Sequence, residues 1–146
     1  MKIIAINNKI NHEYFVIETY EAGLVLQGSE VKSCCNKGVN LEGSYVSNSK
    51  DNRELWLIGC NIEEYQNSRV QHELKRDRKL LLNKGEIKKL IDQTVIRGFT
   101  IIPVKMYFSD RGKIKVEIAL CQGKKNYDQR QALRQKDAEK QIKNYF

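Results

Sequence analysis

Long apolar runs are missing from this 146-residue chain. The longest, such as residues 3–6 and 80–82, are far shorter than the roughly 20 apolar residues that a membrane-spanning helix needs. The opening MKIIAINNK also lacks the apolar length and the small-residue cleavage site of a signal peptide. We therefore expect a cytoplasmic protein with no membrane partner.

The sequence also lacks the common signatures of catalysis and metal binding. It has two histidines, His12 and His72, and neither stands at zinc-finger spacing from one of the four cysteines. There is no CxxC pair, P-loop, nucleophile elbow or HExxH motif. We predict that the chain is not an enzyme, holds no metal or cofactor, and keeps its cysteines as free, mostly buried thiols.

Basic charge is abundant and unevenly distributed. The net charge is +8, and two segments hold all of the surplus. Residues 69–89 carry eight Lys/Arg against three acids, and residues 123–146 carry seven against three, so the rest of the chain sums to −1. Clustered cations favour a polyanionic partner. Nucleic acid is favoured over an anionic membrane surface, because few bulky apolar residues accompany the basic ones near the C-terminus.

Hydrophobic periodicity indicates a mainly β chain with small helices. Residues 100–108 and 113–121 have the pattern of two strands, joined by the hairpin link SDRG. In the second strand Ile114, Val116, Ile118 and Leu120 should face inward, and Lys113, Lys115, Glu117 and Ala119 outward. Residues 83–97 predict a helix that Asn83 caps, with Glu86 in capping-box register and Gly98 at its end. Its expected apolar stripe consists of Ile87, Leu90, Ile91 and Val95.

Other stretches complete the predicted architecture. Residues 14–28 resemble two strands with a turn at Glu-Ala-Gly 21–23, and a short helix capped by Ser29 should follow. Residues 66–79 have no clear period and predict an exposed loop. The fold class is mainly β (α+β): an OB-like antiparallel barrel with two or three small helices. We expect the barrel to occupy residues 1–122, and residues 123–146 to form a basic tail that is either disordered or helical.

Several basic and aromatic residues are candidates for RNA contacts. On the expected flexible loop, Arg76, Arg78 and Lys79 could follow a phosphate backbone. Tyr107, Tyr127 and Tyr145 stand near basic residues and could stack on unpaired bases. Each tyrosine taken alone is more often part of a core or a helix surface.

Five ordered stretches carry a resemblance to a known family. They are YEAGLVLQGSEVKS (20–33), VNLEGSY (39–45), RDRKLLLNKGEI (76–87), FTIIPVKMYF (99–108) and KIKVEIALCQGKKNYDQR (113–130). Together they resemble the SsrA-binding protein family, also called small protein B. Cys34-Cys35 departs from its usual Leu-Arg, and Gln129 replaces a usual lysine.

The resemblance implies a fold, a function and partners. Members bind the tRNA-like domain of transfer-messenger RNA (SsrA RNA) with an OB-like barrel and deliver that RNA to stalled ribosomes. The C-terminal tail is expected to enter the small-subunit decoding centre, beside ribosomal RNA, and the empty mRNA channel, where it folds into a helix. Elongation factor Tu and alanyl-tRNA synthetase are further partners reached through the RNA. The alternative is a general single-stranded nucleic-acid or ribosome-binding OB protein.

The resemblance also implies which residues act. The RNA-binding positions on the barrel are Glu21, Glu30, Lys32, Asn40, Arg76, Arg78, Lys79, Leu81 and Lys115. The positions for the decoding centre and mRNA channel are Gly123, Lys124, Lys125, Tyr127, Asp128, Arg130 and Arg134. Of the barrel residues, Glu21, Leu81 and Lys115 match most firmly. Glu30 has a competing interpretation as a structural partner within its short helix.

Overall fold

A computed structural model describes residues 2–65, 69 and 72–124. Within this part of the chain there are nine strands and three helices. The strands are β1 (Lys2–Ile6), β2 (Tyr14–Leu24), β3 (Val39–Asn40), β4 (Tyr45–Asn48), β5 (Leu55–Ile58), β6 (Asn61–Ile62), β7 (Arg78–Leu81), β8 (Thr100–Phe108) and β9 (Ile114–Gly123). The helices are α1 (Ile10–Glu13), α2 (Gly28–Cys35) and α3 (Lys84–Arg97).

Six of these strands pair in a ring, and every pairing is antiparallel. The order around the ring is β8, β4, β5, β7, β2 and β9, and β9 pairs again with β8. The link between β4 and β8 is a single residue pair, Val46 with Ile101, so the barrel is not strictly closed there. β1 extends the sheet beyond β8, and β3 and β6 form a separate small sheet. The predicted mainly β, OB-like architecture with small helices is confirmed.

The barrel interior holds the main hydrophobic core. Val116, Ile118 and Leu120 of β9 point into it, and Ile114 packs against it, as the alternation predicted. Ala119 was expected to face outward, but it is fully buried. It belongs to a second cluster with Ile10, Ile102 and Cys121, in which α1 contributes Ile10. The alternation is intact, but a second layer covers the other face of this part of β9.

β2 is one continuous strand of eleven residues, so the predicted turn at residues 21–23 is wrong. Pairing on both sides keeps this segment extended. Glu21 and Gly23 lie opposite Glu117 and Lys115 of β9, and Gly23 also lies opposite Leu81 of β7. A glycine within a strand indicates a close approach of neighbouring groups as readily as a turn.

The helix predictions hold for α3 and need correction for α2. The Asn83 side chain accepts a hydrogen bond from the Glu86 backbone N–H at 2.8 Å, and Gly98 ends α3 with a φ of 66°. Val95 is 71% exposed, so the apolar stripe ends before it. α2 begins at Gly28 and is capped by Gln27, whereas Ser29 lies inside the helix.

The four cysteines are free thiols, as predicted, and three of them are buried. Burial raises the pKa of the Cys34 thiol to about 12 and the pKa values of Cys60 and Cys121 to about 11. These three thiols therefore stay protonated at neutral pH. Cys35 is exposed.

None of the three described helices has the length and apolar character that a membrane span requires.

Candidate nucleic-acid interface

The outer surface of β7, β2, β9 and β8 brings together the three residues that the sequence matched most firmly. Strand register places Leu81, Gly23, Lys115 and Tyr107 in one row across the four strands. Glu21 lies in the next row, since it stands two residues before Gly23 on the same face of β2. We call Glu21, Gly23, Leu81, Lys115 and Tyr107 the outer patch. The opposite face of the same strands is core, with Ala22, Leu80, Met106 and Val116 buried.

Gly23 lets its two neighbours on the outer patch approach each other. A Cβ at this position would lie 3.3 Å from the Leu81 Cβ and 3.7 Å from the Lys115 Nζ. A groove of about 370 Å³ lies beside Gly23, Leu81 and Lys115. Leu24, Leu26, Val31 and Ile114 also line the groove. An apolar floor with an ammonium group at its edge suits a base or a ribose with its adjoining phosphate.

The charged groups of this face differ in how they are paired. Lys105 forms an ion pair with Glu117 at 3.4 Å. Glu21 accepts a hydrogen bond from the Tyr107 hydroxyl. Burial raises the pKa of Tyr107, and the bond to Glu21 raises it further, so the phenol remains a proton donor. No ion pair to Lys115 or to Glu21 occurs among the described residues. Both charges are therefore available to a ligand.

Sequence reasoning missed two features of the outer patch. Gly23 was assigned to a turn, and Tyr107 was considered as a stacking residue. Tyr107 is 6% exposed, so its ring has no open face for a base; of the two roles that the sequence left open, burial rather than stacking applies to it. The hairpin register that SDRG implies would have placed Tyr107 beside Lys115, but not beside Glu21, which lies on a strand distant in sequence.

Glu30 and Arg78 lie inside the fold, and neither side chain has exposed surface. Arg78 donates from Nε to the Glu30 carboxylate, and from Nη1 to the Cys60 carbonyl at 2.7 Å. Arg76 donates to the other Glu30 oxygen at 2.6 Å, and the Gln27 backbone N–H donates to that oxygen at 2.8 Å. We call Glu30, Arg76 and Arg78 the buried ion cluster. Its geometry makes it a brace between α2 and β7.

The prediction that Arg78 and Lys79 lie on an exposed loop is therefore wrong. Both belong to β7, where alternation points Arg78 and Leu80 inward and Lys79 and Leu81 outward. A buried arginine is stable here because the carboxylate and two or more carbonyl groups accept from its guanidinium. Direct RNA contact by Arg78 or Glu30 would require the fold to open. Arg76 keeps a side-chain exposure of 26%.

Burial alone would raise the pKa of the Glu30 carboxyl, but hydrogen bonds from Arg76, Gln27 and Arg78 outweigh it. The net effect is a lowered pKa, so Glu30 remains ionised within the fold.

His72, which sequence reasoning did not assign, lies beside this cluster. It donates from Nε2 to the Ile62 carbonyl at 2.8 Å, and its Nδ1 lies 2.8 Å from the Ser29 hydroxyl. The Ser29 hydroxyl thus contacts His72 rather than capping α2.

The remaining barrel candidates lie outside the outer patch. Lys79 shares a face with Leu81 but forms an ion pair with Glu54 at 3.1 Å. The Lys32 ammonium lies 5.6 Å from the centroid of the Tyr65 ring. Asn40 lies in the small β3–β6 sheet, and its side chain accepts from the Glu42 backbone N–H at 2.9 Å. Any RNA contact by these three would extend the surface beyond the outer patch.

The structure describes the first two residues predicted to act at the decoding centre. Gly123 is the last residue of β9 and lies opposite Tyr14, one residue beyond the expected end of the barrel. The Lys124 Nζ donates to the Asn11 carbonyl at 2.6 Å and lies 5.1 Å from the Phe15 ring centroid. The other predicted residues, Lys125, Tyr127, Asp128, Arg130 and Arg134, lie outside the described residues.

Within residues 2–65, 69 and 72–124, no group of three His, Cys, Asp or Glu side chains could hold a metal ion.

Proteins of one family resemble this chain along nearly its whole length. The family model described as "SmpB protein" matches residues 4–146. The SsrA-binding protein of Fervidobacterium nodosum is 43% identical over 147 aligned positions, which cover 100% of this chain and 97% of that protein. The SsrA-binding protein of Geobacillus thermodenitrificans is 45% identical over 146 positions, covering 99% of this chain and 92% of that protein.

A solved structure of a related protein also matches this chain. It is described as "tmRNA-SmpB: a journey to the center of the bacterial ribosome", and its matching chain is 38% identical with a TM-score of 0.68. The alignment covers 82% of this chain and 83% of that one. The family match, which includes every strand that contributes to the outer patch, shows that this chain belongs to the SmpB family of SsrA-binding proteins.

Proposed function

We propose that this protein binds the tRNA-like domain of transfer-messenger RNA through the outer patch and delivers that RNA to stalled ribosomes. The observation that carries the proposal is the convergence of Glu21, Leu81 and Lys115 on one face, around Gly23. Family membership and the ribosome complex of its structural relative support it. The role requires no catalysis, and it belongs in the bacterial cytoplasm, where ribosomes work.

Each group of the outer patch has a distinct role in this proposal. Lys115 contacts a phosphate, because an ammonium that has no acid partner among the described residues can replace the counterions that the RNA releases. Glu21 accepts hydrogen bonds from a ribose 2′-OH or a guanine N–H, since an ionised carboxylate has only acceptor oxygens. Leu81 and the groove beside it cover an apolar base or ribose surface. Strand register fixes Lys115 and Glu21 relative to each other, so discrimination between RNAs requires both charges.

The first test is the binding of the full chain to the tRNA-like domain compared with an ordinary alanine tRNA, at about 150 mM salt. We expect a preference of about tenfold or more, which Glu21→Ala and Lys115→Ala each abolish. Lys50→Ala serves as the control, because it removes an exposed cation of the β4–β5 link and should weaken binding to both RNAs alike. Equal binding of the wild type to both RNAs would indicate a general nucleic-acid-binding OB protein instead.

The segment that follows the barrel supplies the ribosomal part of the proposal. It carries a net charge of +4 over residues 123–146, which suits ribosomal RNA in the decoding centre and the mRNA channel. Gly123 and Lys124 contact the barrel, so a clean truncation removes residues 125–146 and leaves β9 whole. This variant should keep its preference for the tRNA-like domain but fail to rescue ribosomes on a message without a stop codon. Loss of both properties would contradict this division of roles.

A further inference from the structure

One hydrogen bond of the outer patch joins two strands that are not neighbours. Tyr107 lies on β8 and Glu21 on β2, and β9 separates them. Adjacent strands are about 4.8 Å apart, so the two backbones are about 10 Å apart, and only two long side chains can meet across β9. The Tyr107 hydroxyl nevertheless donates to Oε2 of Glu21. The phenol therefore extends across the outer face of β9.

Tyr107 is held firmly even though it lies on the outer face. The residue is 6% exposed, whereas the adjacent Met106 points into the core on the opposite face. The Lys105 ammonium lies 5.8 Å from the ring centroid, within the range of a cation–π contact. A buried hydroxyl needs a hydrogen-bond partner, and Glu21 provides it. Packing therefore fixes the position of the Tyr107 hydroxyl, and the hydrogen bond from that hydroxyl orients the Glu21 carboxylate.

Glu21 differs from the other acids of β2 and β9. Glu117 is paired with Lys105 at 3.4 Å, and Glu18 with Lys89 at 3.3 Å. In the described part of the chain, the partner recorded for the Glu21 carboxylate is the neutral Tyr107 hydroxyl. Its negative charge is thus oriented without being neutralised. A preoriented acceptor loses less conformational entropy on binding than a mobile one.

The geometry points to Tyr107 as a positioning residue for RNA recognition, one that holds the Glu21 carboxylate so that its acceptor oxygens meet the O–H or N–H donors of the RNA. This inference rests on the proposed function, because it concerns the same surface. Tyr107 touches no RNA in this account and acts through Glu21 alone. Its contribution should therefore disappear when Glu21 is absent.

A double-mutant cycle in RNA affinity tests this dependence. Tyr107→Phe removes only the hydroxyl and should weaken binding to the tRNA-like domain about five- to tenfold, which is the size of one ordinary hydrogen bond's net contribution. In a Glu21→Ala background the same change should alter the Kd by less than about twofold. Unfolding midpoints of all four proteins are measured in parallel. A structural role alone would give the same loss in both backgrounds.

Two further variants complete the experiment. Tyr20→Phe is the matched control, because Tyr20 donates to Glu18 at 2.5 Å in an exposed pair on the same strand, and it should leave RNA affinity unchanged. Glu21→Asp keeps the charge but withdraws the carboxylate from Tyr107 by one methylene, so it should lose the RNA preference without any change at Tyr107. This variant can overturn the inference even if Tyr107→Phe does not fold, because full binding would show that the contact with Tyr107 is not needed.

The outcomes separate the inference from the proposed function. If the wild type binds both RNAs equally, the proposed function is wrong and the inference with it. If the wild type prefers the tRNA-like domain but Tyr107→Phe costs the same in both backgrounds, the inference alone is overturned. Full binding by Glu21→Asp would overturn the inference in the same way.

Discussion

Two glutamates of this protein, Glu21 and Glu30, sit in opposite environments although the sequence marks both as RNA-binding candidates. Glu30 is fully buried and receives hydrogen bonds from two arginines and a backbone N–H. Glu21 is exposed and receives one from a tyrosine. In the buried ion cluster the opposite charges pair with one another. In the outer patch, Glu21 and Lys115 form no ion pair among the described residues. Residue type alone therefore does not separate a brace from a binding group.

Arg78 and Lys79, two consecutive residues of β7, show the same contrast. Arg78 has no exposed surface, whereas Lys79, the following residue, has 40% of its side chain exposed. Successive residues of a strand face opposite sides of the sheet, so Arg78 faces the interior and Lys79 faces solvent. A cation that faces the interior stabilises the fold only if buried groups accept its hydrogen bonds. A cation that faces solvent can bind a ligand.

The largest expected effect comes from a substitution that breaks the buried ion cluster. Arg78→Ala leaves the Glu30 carboxylate buried beside Arg76 alone, and should lower the free energy of unfolding by about 3–5 kcal/mol. The matched control, Lys79→Ala, removes an exposed ion pair and should cost less than about 1 kcal/mol. Urea unfolding of both variants measures the difference. Similar losses in the two would mean that the buried cluster is not a brace.

The second prediction concerns acid stability. The pKa of Glu30 is lowered in the folded chain from its ordinary value of 4.5, so its contribution to stability is complete above that value. The contribution is lost as the pH falls through the lower, folded value. The stability difference between wild type and Glu30→Gln should therefore shrink as urea unfolding is repeated below pH 4.5.

Glu18→Gln is the control for this titration. The pKa of Glu18 is also lowered, first by the Tyr20 hydrogen bond, but the group is exposed. Solvent screening should make its effect smaller at every pH. A constant gap between wild type and Glu30→Gln down to pH 3 would contradict the assigned ionisation of Glu30.

The smallest expected effect tests the spacing within the outer patch. In Gly23→Ala the added Cβ would lie 3.3 Å from the Leu81 Cβ, so Leu81 must shift by a few tenths of an ångström. We expect a loss of about 0.5–1 kcal/mol in binding to the tRNA-like domain, roughly two- to fivefold in Kd. Gly28→Ala is the matched control, because nothing lies within 4 Å of the new Cβ. Equal Kd values for the two variants would show that the close approach at Gly23 has no role in binding.

The sequence predicted the elements whose signals are local. α3 begins and ends where Asn83 and Gly98 indicate, and the hairpin of β8 and β9 follows from two alternating runs joined by SDRG. Prediction from the sequence failed where contacts between distant segments decide the local conformation. The stretch that contains Gly23 looks like a turn on its own, and only pairing with both β7 and β9 keeps it extended.

The amino-acid sequence by itself determined the family, the charge distribution and the short-range structure, because these depend on residues close together in the chain. Only the tertiary structure decided that Arg78 is buried, that Ala119 lies beneath α1, and that Tyr107 reaches Glu21. The physical reason is that burial depends on what covers a face. A strand carries its alternation in its own residues, but the layer packed against each face comes from elsewhere in the chain.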